Sequence, residues 1–149
     1  MNILSRRSLL AIAAVTDIAL YARPMPVSAK ALAARHNLPP RHLEPVLQAL
    51  VRNGILKGVR GPRGGYELAR ERRRISAGDI VRVAMTAYED ESASPLPESR
   101  LAENVVAPLV RKGFEAFLAE LDQVTVEDLC NRAEDEAVVE RSSPADFTI

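Results

Sequence analysis

"LPPRHLEPVLQALVRNGILKGVRGPRGGYELA", residues 38–69, holds a helical periodicity and a strand periodicity separated by one stop signal. Leu43, Val46, Leu47 and Leu50 fall at i, i+3, i+4 and i+7, which predicts a helix over about residues 41–52 with one buried face. Pro40 is tolerated in the first turn, and Asn53-Gly54 supplies the stop. Arg41, His42, Glu44 and Gln48 lie off the apolar face. Behind the stop, residues 55–60 are β-prone, "GPRGG" is a turn and residues 66–69 return, so a hairpin with a glycine-rich tip is expected.

Toward the N-terminus, "SAKALAARHNL" reads as a short helix over residues 29–35, with Ser28 as N-cap and Asn37 near its end. Two short helices joined by the tight turn "HNLPP" have helix-turn-helix spacing, and a hairpin directly after the second helix is a wing. Residues 6–21 predict a further helix, stopped at "ARPMP" because Pro24 and Pro26 cannot continue it. "SRRSLLAIAA", residues 5–14, has a competing reading. Two arginines before an apolar run open an export signal, and "VSA" at 27–29 resembles a cleavage site. Asp17 interrupts that apolar run, however, and cleavage after Ala29 would cut the second helix in its first turn. The helix reading is preferred, with Leu9, Leu10, Ala13, Val15, Ala19 and Leu20 expected to be buried. A cytoplasmic protein with no membrane partner follows from it.

Toward the C-terminus, "RERRR" at 70–74 is either a phosphate-facing run or merely a solvated face. "ISAGDIVRV" predicts a fourth helix capped by Ser76 and Asp79. An acidic, proline-containing loop at 86–98 breaks the chain before a long helix over 101–121. There Val110, Phe114, Phe117, Leu121 and Val124 have the 4-3-4-3 spacing of a helix that packs on another helix, and Pro108 predicts a kink or a restart. "TVEDLCNR" is a last short helix, and residues 133–149 form an acidic tail expected to be disordered. The expected fold is mainly α with a small β-hairpin. It divides into a winged helix-turn-helix domain (1–85), the acidic loop (86–98), a dimerisation helix with the short terminal helix (99–132), and the tail (133–149).

The 149 residues carry zero net charge, but the balance is uneven. Residues 1–82 hold 15 Lys and Arg against 5 Asp and Glu, and residues 83–149 hold the reverse, 5 against 15. A basic half suits a polyanion, and an acidic half is repelled by one. The hairpin tip bears Arg60 and Arg63 with little bulk, which suits entry into a narrow minor groove. Apolar residues make up 47%, which excludes wholesale disorder. With no Ser-His-Asp or Cys-His set, no paired-carboxylate signal, and no Lys-Ser/Thr after "GPRGG" to make a phosphate loop, nothing points to an enzyme.

Together, the quoted stretch, "ISAGDIVRV" and "VTVEDL" resemble the Rrf2 family of bacterial transcriptional regulators, from Ser5 to about Arg132. "VRGPRGGYEL", similar to that family's wing, is the most specific piece. The resemblance implies a homodimer, joined by the long C-terminal helix through Val110, Phe114, Phe117 and Leu121, that binds an inverted-repeat operator in double-stranded DNA. It places Arg41, His42 and Glu44 at base edges in the major groove, Arg60 in the minor groove, and Ser28 at a phosphate. Lys57 and Arg63 complete the expected DNA-binding set. Pro45 departs from the polar residue often found in cluster-binding relatives, so their operator preference is not carried over. Those relatives hold an iron–sulfur cluster through three cysteines in the loop between the fourth helix and the dimer helix. Here that loop has neither Cys nor His, so no cofactor is expected. The lone Cys130 reads as a half-buried packing residue beside Leu129, with a redox role as the alternative. Regulation is left to a small molecule between the domains, a protein partner, or a thiol event. A winged helix that binds protein rather than DNA is the competing class, distinguished by the salt dependence of duplex binding.

Overall fold

The computed structural model describes residues 4–87 and 98–136. Of the acidic loop (86–98) and the tail (133–149) assigned above, residues 88–97 and 137–149 lie outside the described residues, and 133–135 belong to the last helix rather than to the tail. Helix α1 (Arg6–Tyr21) starts at Ser5, whose Oγ accepts the Ser8 N–H at 3.2 Å. Helix α2 (Ala29–Arg35) starts at Ser28, whose Oγ accepts the Ala31 N–H at 3.0 Å. A 3-10 turn (Pro40–His42) leads into α3 (Glu44–Arg52), followed by the antiparallel hairpin β1 (Leu56–Val59) and β2 (Gly65–Leu68). After a second 3-10 turn (Arg72–Arg74) come α4 (Ala77–Ala87), a π-helical turn (Ala102–Val106), α5 (Ala107–Leu121) and α6 (Val126–Asp135). The mainly helical architecture with one small hairpin is the one expected from the sequence.

Two helix starts are shaped by a proline, and the first differs from expectation. The helix placed at 41–52 begins only at Glu44. Pro45 has no N–H for the carbonyl of Arg41 and its ring crowds that carbonyl, so Arg41 and His42 wind into a tight 3-10 turn instead. The long helix expected over 101–121 opens as a π-turn, in which the Ala107 N–H donates to the carbonyl of Ala102. Pro108 cannot serve the carbonyl of Asn104, and the wider turn absorbs the missing donor.

Leu43, Val46, Leu47 and Leu50 are all fully buried, with Val15 and Ile18 of α1, Leu32 of α2 and Ile80 of α4. Burying each such side chain contributes about 1.5–3 kcal/mol, so α3 is held rigidly from behind. Along α1, Val15 and Ala19 are buried as expected, but Leu10, Ala13 and Leu20 are half-buried and Leu9 is exposed. Leu9, Ala13 and Leu20 line an open groove against Leu129 and Ala133 of α6, and Leu20 also packs on the core from its edge. Helix α6 returns to α1, placing Val126 and Cys130 in the cluster that holds α1 to α4. Backbone bonds fasten it: Val126 N–H donates to the Ile75 carbonyl at 2.9 Å, and Ala77 N–H to the Val124 carbonyl at 2.8 Å.

Reciprocal caps fix both helix starts at this junction. Ser76 and Asp79 exchange N–H and side-chain acceptors at 3.0 and 3.1 Å, and Thr125 and Asp128 do the same at α6. Arg82 of α4 grips Asp122, at the end of α5, through two bonds of 2.5 and 2.8 Å. Those bonds hold the Asp122 carboxyl below the usual carboxylate range. Gly78 makes room for this pair, because a Cβ there would lie 1.9 Å from Asp122 Oδ1.

Candidate nucleic-acid interface

Arg41 and His42 project from the 3-10 turn, Glu44 from the first residue of α3, and Gln48 one turn further; all four are exposed. Leu43, between His42 and Glu44, is fully buried. The charged groups therefore stand on an anchored backbone, which keeps their geometry defined.

The wing pairs Leu56 with Leu68, Lys57 with Glu67, Gly58 with Tyr66 and Val59 with Gly65. Lys57 meets Glu67 at 3.5 Å, an exposed pair that partly neutralises it. The tip carries exposed Arg60 and Arg63 on either side of Gly61, whose φ is +116°. A bridge to the chain before α2 anchors the base of the wing: Val27 and Tyr66 exchange backbone bonds of 2.9 and 2.8 Å. This approach requires Gly65, since a Cβ there would lie 2.2 Å from the Val27 carbonyl oxygen and its φ is +159°. Gly65→Ala is therefore expected to cost about 1–3 kcal/mol in urea unfolding. Gly58→Ala, with open space around its Cβ, is the control, expected within about 0.5 kcal/mol of wild type. Equal behaviour of the two would show that the wing is not held through Val27.

The sequence-assigned residues gather in two clefts. Ser28 and Arg63 share a cleft of about 430 Å³ with Arg23 and Arg35, between the start of α2 and the wing tip. Arg41 and His42 share another, also about 430 Å³, with Arg6 and Arg7 of α1. The Ser28 oxygen already accepts from Ala31, so only its hydroxyl proton is left for a phosphate. Arg72, in the basic run, donates to the Ala19 carbonyl, while Arg73 pairs with Glu71 at 2.8 Å. Of that run Arg72 is committed to the fold, while Arg70, Arg73 and Arg74 stay exposed.

Asp17, which interrupts the apolar pattern of α1, is 7% exposed. Its carboxylate accepts from Arg35 Nε at 2.9 Å and Nη2 at 2.6 Å, and lies 3.2 Å from His36 Nε2. The Arg35 guanidinium, held cationic above its usual range by this carboxylate, also lies 4.3 Å over the ring of Tyr21. Helix α2, the first of the helix-turn-helix pair, is thereby locked to α1.

The model of the Rrf2 family, described as an iron-dependent transcriptional regulator, matches residues 4–132. The chain belongs to the Rrf2 family. A protein of Synechocystis sp. named as an HTH-type transcriptional regulator is 37% identical over 131 residues, covering 85% of this chain and 86% of that protein. The HTH-type regulator CymR of Bacillus subtilis is 33% identical over 111 residues, covering 74% and 77%. Among solved structures, T. potens IscR superposes with a TM-score of 0.68 at 30% identity, covering 97% of this chain and 96% of that one. CymR, the global cysteine regulator of B. subtilis, superposes with a TM-score of 0.64 at 29% identity, covering 89% and 98%. The winged-helix fold is thus the Rrf2 fold, and the protein is a transcriptional regulator of that type.

Within the Rrf2 frame, the chain's single cysteine differs from expectation. Cys130 is fully buried rather than half-buried, because α6 turns it into the core against α1. Burial pushes its thiol up, opposed by Arg72, so reactive thiolate is scarce. Among the described residues, no group of three or more His, Cys, Asp or Glu is placed to hold a metal ion. Iron–sulfur clusters need several soft thiolate ligands, and one core cysteine does not fit that requirement. No helix among the described residues is long and apolar enough to cross a membrane.

On the long helix, Val110 is 65% exposed, Phe114, Phe117 and Leu121 are half-buried, and the two phenylalanine rings lie 6.0 Å apart. Leu118, absent from the expected seam, is the residue that α5 buries. The exposed apolar stripe also starts earlier than expected, at Leu101, and runs through Val105, Val106 and Leu109. A run this apolar on one exposed face marks an interaction surface.

Proposed function

We propose that two copies of this Rrf2 chain bind an inverted-repeat operator in duplex DNA. Arg41, His42 and Glu44 meet base edges in the major groove, and the wing brings Arg60 to the minor groove, with Lys57, Arg63 and Ser28 at the backbone. The observation that carries this reading is the exposed Arg41-His42-Glu44 run, pinned by the fully buried Leu43 within it. The stripe on α5, with Val110, Phe114, Phe117 and Leu121, joins the protomers. The regulator works in the cytoplasm and without an iron–sulfur cluster, a reading supported by one buried cysteine and by a loop with no Cys or His. The signal is then a small molecule or a protein partner. The burial of Cys130 weighs against a thiol event.

The test is to incubate the purified protein with fragmented genomic DNA, recover the bound fragments and sequence them. A shared inverted repeat is expected. Fragments enriched only through salt-sensitive, sequence-independent binding would sink the operator reading. On the recovered site, Arg60→Ala is expected to weaken binding by about 1–3 kcal/mol. Glu44→Ala is expected to broaden specificity more than it lowers affinity, because a carboxylate near phosphates serves to reject wrong bases or to accept from a cytosine amino group. Equal losses for Glu44→Ala on every duplex, measured by fluorescence anisotropy, would remove that role.

A further inference from the structure

We propose that Gln48 is a specificity-determining residue, whose side-chain amide reads an adenine about two base pairs from the pair met by Glu44. This rests on the operator-binding function proposed above. The buried residues of α3 are Val46, Leu47, Ala49 and Leu50. At about 100° of rotation per residue, Gln48 lies about 180° from their mean direction, so no residue of α3 faces further from the core. Glu44 and Arg52, one turn before and one turn after, are exposed and flank it by about 40° on either side. When this face enters a major groove, Gln48 points at the groove floor. Pro45, one turn earlier on the exposed side, has no polar side-chain atom to offer a base.

The chemistry of the side chain points the same way. Glu44 in the first turn and Arg52 in the last are each favoured by the helix itself, an acid at the N-terminus and a cation at the C-terminus. Gln48 is neutral and lies in the middle of α3, so neither end acts on it. Among the described residues none bonds its amide, whereas the Asn53 amide is bonded to the Ala49 carbonyl at 2.8 Å. Both Oε1 and Nε2 of Gln48 are therefore available to DNA. An amide presents a donor beside an acceptor, and adenine presents the matching pair in the major groove: Nε2 donates to N7 while Oε1 accepts from the N6 amino group. Guanine offers two acceptors, cytosine a donor, and thymine an acceptor beside a methyl, so none of them satisfies both ends of the amide. Four residues of helix rise about 6 Å, close to two base-pair steps, which sets the register relative to Glu44.

The experiment compares full-length wild type, Gln48→Ala and Gln48→Arg by fluorescence anisotropy on the recovered operator, with each base pair replaced in turn, symmetrically in both half-sites. Wild type is expected to lose about tenfold or more in affinity when one particular A·T pair is replaced. That pair should lie about two steps from the one at which Glu44→Ala broadens specificity. Gln48→Ala is expected to lose a similar factor on the native operator, to become indifferent at that pair, and to keep the wild-type preferences at every other. Its slope of log K against log salt is expected to stay at the wild-type value, because a neutral amide releases no counterions. Gln48→Arg is expected to prefer G·C at the same pair, since arginine matches O6 and N7 of guanine. The alanine variant is expected to melt close to wild type, because the side chain removed is exposed and alanine suits a helix interior. Equal losses for Gln48→Ala on every duplex, or a Gln48→Arg variant that keeps the adenine preference, each overturn the assignment. A recovered inverted repeat with no pair that depends on Gln48 overturns this assignment alone, whereas wild type that binds all duplexes alike overturns the operator reading itself.

Discussion

Asp17→Ala is expected to lower the free energy of unfolding by about 3 kcal/mol, near the low end of what breaking a buried ion pair costs. The carboxylate is 7% exposed and receives two bonds from Arg35, with His36 at 3.2 Å. Removing it leaves a guanidinium and an imidazole without their acceptor. Both remain partly exposed, 35% and 26%, so water recovers some of the loss, which sets the estimate at the low end. Urea unfolding followed by circular dichroism should show a lower midpoint with an unchanged slope. Arg35→Met in the Asp17→Ala background should then cost much less than Arg35→Met alone. Additive losses in that cycle would mean that the two side chains stabilise the protein independently. Since the pair ties α2 to α1, operator affinity should also drop in Asp17→Ala under conditions where the protein is still folded.

The second large effect concerns assembly. Leu109→Asp/Val110→Asp is expected to yield a folded monomer, because both residues are more than 60% exposed in the single chain and contribute little to its core. Sedimentation should show wild type at twice the mass of the variant, with melting of the helical signal changed little once concentration is accounted for. A monomer engages one half-site at a time, so its affinity for the full inverted repeat should fall by about 10²–10⁴, while affinity for an isolated half-site stays close to wild type. A variant that remains dimeric would move the interface away from the α5 stripe, and a wild-type monomer would remove the dimer from the proposal.

How much could be read beforehand depended on the range of each interaction. Helices α1 and α2, the hairpin and the Ser76 and Thr125 caps follow from contacts a few residues apart, and the sequence pattern marks these directly. The late start of α3 and the expected restart at Pro108 were also local in origin. Pro45 and Pro108 carried the signal, but whether a chain meets a missing donor with a 3-10 turn, a π-turn or a break depends on what the flanking residues bury. At 41–42 the anchor is Leu43, and at 101–106 the apolar side chains remain exposed, so the two prolines had different consequences.

The sequence by itself determined the winged helix-turn-helix, the family, and the candidate base- and wing-contacting residues from Arg41 to Arg63. These rest on periodicity, capping and turn chemistry within short windows. Only the tertiary structure decided that Arg6 and Arg7 share a cleft with Arg41 and His42, that Asp17 is a buried partner of Arg35 and His36, and that α6 carries Cys130 into the core. A lone acid in an apolar run and two arginines at a helix start carry no record of their partners in the local pattern. Their meaning depends on how helices far apart in the chain pack, and packing is decided by the buried surface of the whole domain rather than by any one segment.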